Sequence, residues 1–155
     1  MTSFVNTGGW TLVGQTVNCR FFATEPLFLV ALPFSGAKDD AASARQNSTF
    51  QERYFHDSGT RGVVIVLFDA FVSQDHDARQ TYRTTPSPSV AAVAIVAESL
   101  LGRAMAAFSV GSRVAPSAPR KMFGTMAEAT AWGHEQLRGG VVLDVGRVGS
   151  EAQVR

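Results

Sequence analysis

The sequence predicts an α/β domain, a mixed sheet of about four to six strands with a parallel centre and helices packed on it. Three observations predict it. Val63 to Phe68 is an unbroken run of β-branched or bulky apolar residues, preceded by Gly59 and Gly62, as expected for a strand buried on both faces. A second apolar run, Val90 to Ala97, follows after a polar stretch compatible with a helix. Strand-like and helix-like segments then alternate along the chain, the pattern of parallel strands joined by right-handed crossovers.

Each element has its own signal. Trp10 to Phe22 reads as a strand, alternating loosely through Trp10, Leu12, Val17, Cys19 and Phe21, with Gly14 at a turn. Leu27 to Phe34 is a second strand, introduced by Pro26 and either ended or held near an edge by Pro33. Between Gly36 and Gly59 the chain is polar and free of glycine and proline, which predicts one helix or two. Ser35 is placed to cap its start with Asp39 and Asp40 in the first turns, and Thr49 with Glu52 stands at capping-box spacing for a second start. Its apolar positions, Ala42, Phe50, Tyr54 and Phe55, form a thin stripe, so the element is expected on the surface.

The central strand ends on Asp69. Ser73 can cap a helix running to about Thr85, with Asp75 and Asp77 in its first turn and Arg79 next, and Pro86-Ser87-Pro88-Ser89 then breaks the chain. After the Val90 to Ala97 strand, Ser99 caps a helix in which Leu100, Leu101, Ala104, Met105 and Phe108 share one apolar face. Gly111 to Pro119 reads as a loop and Arg120 to Phe123 as a short strand. Thr125 with Glu128 is a further capping box, opening a helix that carries Met126, Ala129, Trp132 and Gly133 and closes at Gly139-Gly140. Residues 1–140 thus form one domain. Val141 to Val145 could add an edge strand, and the residues to Arg155 read as a loose tail.

Composition narrows the function. With 45% hydrophobic and 17% charged residues, the 155-residue chain has the balance of a globular domain, which excludes disorder and fibre. Its 14 basic and 13 acidic residues are spread without any block of like charge, so nucleic acid is not an expected partner. Cys19 is the sole cysteine, which excludes an internal disulfide or a cysteine zinc site, fits a reducing compartment, and reads as a small strand residue. MTSFVNTGGW has neither the basic nor the apolar region of a secretory signal, and Val90 to Val110 is interrupted by Glu98, Ser99, Gly102 and Arg103, so no membrane span is expected. A cytoplasmic protein is the expectation.

Open α/β sheets meet ligands and partners at the carboxyl ends of their strands, so the loop after Asp69 is the first place to look. Asp69, Asp75 and Asp77 are expected to emerge together at one rim. They could gather a cation, but acids beside a helix start are usually solvated and stabilised by the helix dipole, and no metal is predicted. His56, His76 and His134 fall on three different elements, and neither GxSxG nor GxxxxGK[ST] occurs. No catalytic residue and no cofactor is predicted. Trp132, at helical spacing, reads as an anchor holding the last helix on the sheet.

The runs VVIVLFDAFVSQDHDAR, VAAVAIVAESLLGRAMAAF and RKMFGTMAEATAWGHEQL together resemble the small bacterial STAS-like proteins. These share the fold of anti-sigma-factor antagonists and, more distantly, of CRAL-TRIO lipid carriers. In that group a strand ending in Asp leads to an Ala-Arg helix start, a strand of small residues leads to Leu-Gly-Arg, and a strand ending in Phe precedes Thr-x-x-Glu-Ala-x-x-Trp. Asp69, Ala78, Arg79, Leu101, Gly102, Arg103, Phe123, Thr125, Glu128, Ala129 and Trp132 are the matching residues. The resemblance implies a non-catalytic regulatory module that presents the Asp69 to Arg79 loop and the following helix to a protein partner of kinase or sigma-regulator type. Asp69, Ser73, Asp75, Asp77 and Arg79 would then be the partner-binding or regulatory residues.

One position departs from the pattern: Asp77 holds the place of the acid beside the family's phosphorylated hydroxyl, but Ala78 holds that of the hydroxyl. Ser73 in the same loop could serve instead, or could simply cap the helix. The alternative function is a carrier or sensor of a small apolar ligand or lipid, with Phe71, Leu101, Met105 and Phe108 as its face. An exposed edge strand could also pair two copies, which makes a homodimer compatible with the sequence.

Overall fold

The computed structural model describes residues 7–109 and 118–139. In chain order the elements are β1 (Thr11–Gln15), β2 (Cys19–Glu25), β3 (Phe28–Pro33), β4 (Ala37–Asp39), α1 (Ala41–Asp57), β5 (Gly62–Leu67), a 3-10 turn (Phe68–Ala70), β6 (Phe71–Gln74), α2 (His76–Thr84), β7 (Val90–Val96), α3 (Leu100–Ser109), β8 (Arg120–Phe123) and α4 (residues 126–139). The main sheet has six strands in the order β1-β2-β3-β5-β7-β8, antiparallel as far as β3 and parallel from β3 onward. The apolar run of β5 is therefore central, as its composition predicts. Val64 pairs with Leu29 on one side and Val93 on the other.

Alternation along β5 divides its side chains between two cores. Val64 joins Phe21, Leu29, Val93 and Ile95 on one face, while Val63, Ile65 and Leu67 join Phe28, Val30 and Ala94 on the other. The parallel strands follow one another across the sheet in chain order, so right-handed crossovers carry α1, α2 and α3 to the same side. Phe50, Tyr54 and Phe55 of α1 and Met105 and Ala106 of α3 cover that first face. The second face is closed by α4, through Met126, Ala129, Trp132 and Leu137, with Trp10 and Phe123 beside them. Trp132 is the anchor its spacing predicts, its ring 5.4 Å from that of Phe123.

Several local expectations are corrected. The first predicted strand is a hairpin, and the chain reverses at residues 16–18 rather than at Gly14. Gly14 instead lies within β1, where an added Cβ would stand 2.5 Å from the Phe50 ring; the glycine admits an aromatic side chain to the sheet. Helix α1 starts not at Ser35 but after Asp40, which makes a reciprocal capping box with Ser43, because residues 37–39 pair as β4 with β6 in a separate two-stranded ribbon. The second start at Thr49 and Glu52 is absent, since α1 runs unbroken from Ala41 to Asp57. Nor is α1 a surface element: Ser43, Ala44, Asn47, Ser48 and Phe55 are buried. Ser73 lies in β6, and Asp75 caps α2. In α3 the predicted face does not form, because Leu100 and Leu101 are 86% and 71% exposed while Ala106 and Met105 turn to the core. Val141 to Val145 lie outside the described residues.

The seating of α4 depends on the absence of a side chain at Gly133, where an added Cβ would stand 2.6 Å from Phe28 Cε1 and 3.1 Å from Val63 Cγ1. Phe28 and Val63 are fully buried and have nowhere to retreat. Gly133→Ala is expected to lower unfolding free energy by about 1–3 kcal/mol, read from the urea midpoint. An unchanged midpoint would mean that α4 is held elsewhere.

Candidate functional site

The predicted acids fall into two pieces of local structure: Asp69 is bound to the start of α3, and Asp75 and Asp77 lie at the start of α2. Asp69 follows the carboxyl end of β5 and reaches across to the start of α3. Its carboxylate accepts from the Glu98 amide at 2.7 Å, the Ser99 amide at 3.4 Å and the Ser99 hydroxyl at 2.7 Å. The Ser99 hydroxyl in turn accepts from the Gly102 amide at 2.9 Å, so Ser99 caps α3 as predicted. A Cβ at Gly102 would collide with the Asp69 carboxylate, which gives the Leu-Gly-Arg sequence a steric reason. Arg103 completes the joint by donating from Nε to the Ala97 carbonyl at 3.2 Å.

Asp75 and Arg79 fix the other end of the loop. The Asp75 carboxylate accepts from the Ala78 amide at 2.8 Å, and its own amide donates to the Asp39 carbonyl at 3.1 Å. Arg79 Nη1 donates to the Gln74 carbonyl at 2.7 Å. Ser73, Asp75, His76 and Asp77 are exposed, Ala78 is buried, and Arg79 is half-buried. Asp69 thus bonds to the start of α3, whereas Asp75 and Arg79 bond within the junction of β6 and α2. Of the apolar set Phe71, Leu101, Met105 and Phe108, Leu101 points to solvent and Met105 packs against the core, and the side chains of Phe71 and Phe108 lie outside the described part of the structure.

A buried polar cluster beneath α1 escapes the sequence reading. Asp39, 2% exposed, accepts from the Ser43 hydroxyl at 2.6 Å, Gln74 Nε2 at 3.0 Å and Asn18 Nδ2 at 3.2 Å. Asn47 donates to Asn18 Oδ1 at 2.9 Å and to the Tyr82 hydroxyl at 3.0 Å, and its Oδ1 accepts from the Thr16 hydroxyl at 2.5 Å. A buried carboxylate is tolerated only with such donors, and this one holds together the β2 hairpin, the β4–β6 ribbon and α1. The signal was present in the sequence: Asp39, Ser43, Asn47 and Gln51 recur every fourth residue, a polar stripe where an amphipathic helix should have an apolar one.

Next to this cluster lies a cavity of about 40 Å³. Strand residues Ala31, Val66, Val93 and Ile95 form its apolar side, and Cys19, Asn47, Gln51, Gln74, Tyr82 and Arg120 its polar side. Burial, reinforced by the Asp39 charge, pushes the Cys19 thiol up to about 12 and lifts the Tyr82 phenol well above its ordinary 10.0. Both are therefore protonated at neutral pH. Burial and the neighbouring Arg83 charge draw the Arg120 pKa down.

The histidines share no site. His56 stands beside Asp57, His76 opens α2, and His134 on α4 pairs with Glu25 at 2.5 Å and tilts over the Phe28 ring. Among the described residues no group of three or more His, Cys, Asp and Glu side chains is placed to hold a metal ion, and no helix is long and apolar enough to cross a membrane. No family model, no curated protein and no solved structure matches the chain. Its class is stated by its own architecture: a small α/β domain built on a six-stranded, mostly parallel sheet.

Two outcomes are expected. Asp69→Ala removes three hydrogen bonds at the head of α3 and should cost about 1–2 kcal/mol of unfolding free energy, with Asp69→Asn recovering part of it. Because folding raises the Cys19 pKa from 9.0 to about 12, the folded chain keeps a proton that the unfolded chain releases above pH 9. Stability should be level below that pH and fall as pH rises through 9 to 11, with a shallower fall in Cys19→Ala measured by urea titration at each pH.

Proposed function

We propose that this chain is a non-catalytic regulatory module that presents the Asp69 to Arg79 loop, with the helix after it, to a protein partner. The observation that carries the reading is how the loop is built. Its fixing bonds use Asp69, the Asp75 cap, backbone groups and Arg79, and they leave Ser73, His76 and Asp77 in solvent on a braced frame. A surface ordered before binding loses less conformational freedom on association. Ser73 is also released from the capping role, which Asp75 performs, so its exposed hydroxyl is open to modification. A phosphoryl group there would add about two negative charges beside Asp75 and Asp77 and alter what the loop attracts.

The resemblance to anti-sigma-factor antagonists supports the same loop, and a kinase or sigma-regulator as partner rests on that resemblance alone. The carrier reading finds less support: the cavity beneath α1, about 40 Å³, is far below the roughly 300–1,000 Å³ of pockets that enclose drug-sized ligands, and a larger surface depression of about 380 Å³ has Asn18, Lys38, Asp40 and Gln46 in its lining, ill suited to an apolar guest.

The test is capture of a partner from the source cells by tagged protein, followed by affinity measurement with that partner purified. His76→Glu with Asp77→Lys should weaken binding about tenfold or more, equivalent to ~1.4 kcal/mol, while Arg45→Glu on the exposed face of α1 leaves it unchanged. Ser73→Glu should shift the same affinity severalfold. Equal binding by the loop variants and the α1 control would reject the reading.

A further inference from the structure

We propose that the cavity beneath α1 and α2 is a binding site for a small planar oxyanion, of the size of formate or acetate, held by Arg120. Arg120 opens β8 with its side chain on the first face of the sheet, against the cavity. Its Nη2 donates to the Tyr82 carbonyl at 3.0 Å and its guanidinium lies 5.8 Å from the Tyr82 ring centroid. Its Nε is sealed from solvent, and among the described residues no acceptor reaches it. No carboxylate is paired with Arg120 among the described residues.

A guanidinium removed from water normally has a carboxylate or phosphate in its fork, since an uncompensated buried charge is costly. Here Arg120 lines a cavity, and a hydrogen bond from its fork goes to the Tyr82 carbonyl. The cavity of about 40 Å³ holds about three water-sized spheres, which matches an anion of three or four heavy atoms. The rest of the wall is neutral at ordinary pH, because Cys19 and Tyr82 keep their protons. Asp39 is not on the wall and accepts from Asn18, Ser43 and Gln74, although its charge still reaches Cys19 and Tyr82 there. Arg83, on the last turn of α2, adds a second positive charge close enough to depress the Arg120 pKa. The side chain of Gln51 supplies further donors on the opposite helix.

The site is independent of the loop's proposed role, although Gln74 and Tyr82 link its wall to both ends of α2. The test is thermal unfolding of the full chain in sodium formate and in sodium chloride at matched ionic strength. Wild type should show a saturable rise of about 5 °C or more in formate over chloride once formate exceeds its dissociation constant about a hundredfold. Arg120→Gln should abolish the difference. Ala31→Val, which fills the apolar side of the cavity and leaves Arg120 in place, should abolish it too; this variant decides the matter if Arg120→Gln does not fold. A wild type that responds equally to both salts, or a formate-specific rise that survives either substitution in folded protein, overturns the proposal.

Discussion

A strand that is apolar on both faces must be covered twice, and that constraint organises this molecule. β5 sends Val64 to one side and Val63, Ile65 and Leu67 to the other, so neither face of the sheet can be left to water. Chain-order addition of parallel strands brings three helices to the first face, and the second would stand open without α4. The small side chains Ala92 and Ala94 on β7, with Gly133 on α4, let that helix approach closely. The first face is different. Its helices do not press evenly on the strands, and between them lie the polar cluster around Asp39 and the cavity beside Arg120.

That asymmetry gives the interior two kinds of cohesion. The second face is held by apolar packing, which is non-directional and tolerates exchange of similar volumes. The first face combines such packing with directional bonds that converge on Asp39 and Asn47 from four separate segments. Buried polar networks of this kind specify one arrangement, because any shift leaves a donor or acceptor unpaired. The short ribbon of β4 and β6 owes its place to this network. Gln74 at the end of β6 and Asp39 at the end of β4 meet at 3.0 Å, side chain to side chain.

Much of the frame was legible in the sequence because it is written in periodicity. The β5 and β7 runs, the Arg120 to Phe123 strand, the Ser99 cap and the Thr125 to Glu128 cap all appear where residue type and spacing put them. What escaped was whatever depended on a tertiary partner. Three residues of β4 and four of β6 carry no strand pattern of their own and are strands only because they find each other. Ser73 and Asp75 are both good caps by type, and the ribbon decided between them by taking Ser73. The polar stripe of α1 looked like an exposed face since polarity was read as exposure; its burial follows from partners far away in the chain, with Asn18 and Gln74 donating to Asp39 and the Tyr82 hydroxyl accepting from Asn47. Leu100 and Leu101 failed the opposite way, apolar yet outward, because the α3 surface that can lie against the 3-10 turn is the one with Gly102 on it.

The contact between Asp69 and Gly102 has an evolutionary corollary. The carboxylate occupies the space that any side chain at 102 would need, and its bonds to the Ser99 region require that space. Substitution at one position therefore constrains the other: a side chain at 102 would meet both the Asp69 carboxylate and the Ser99 hydroxyl, so a larger residue there calls for compensating change at 69 and 99 together.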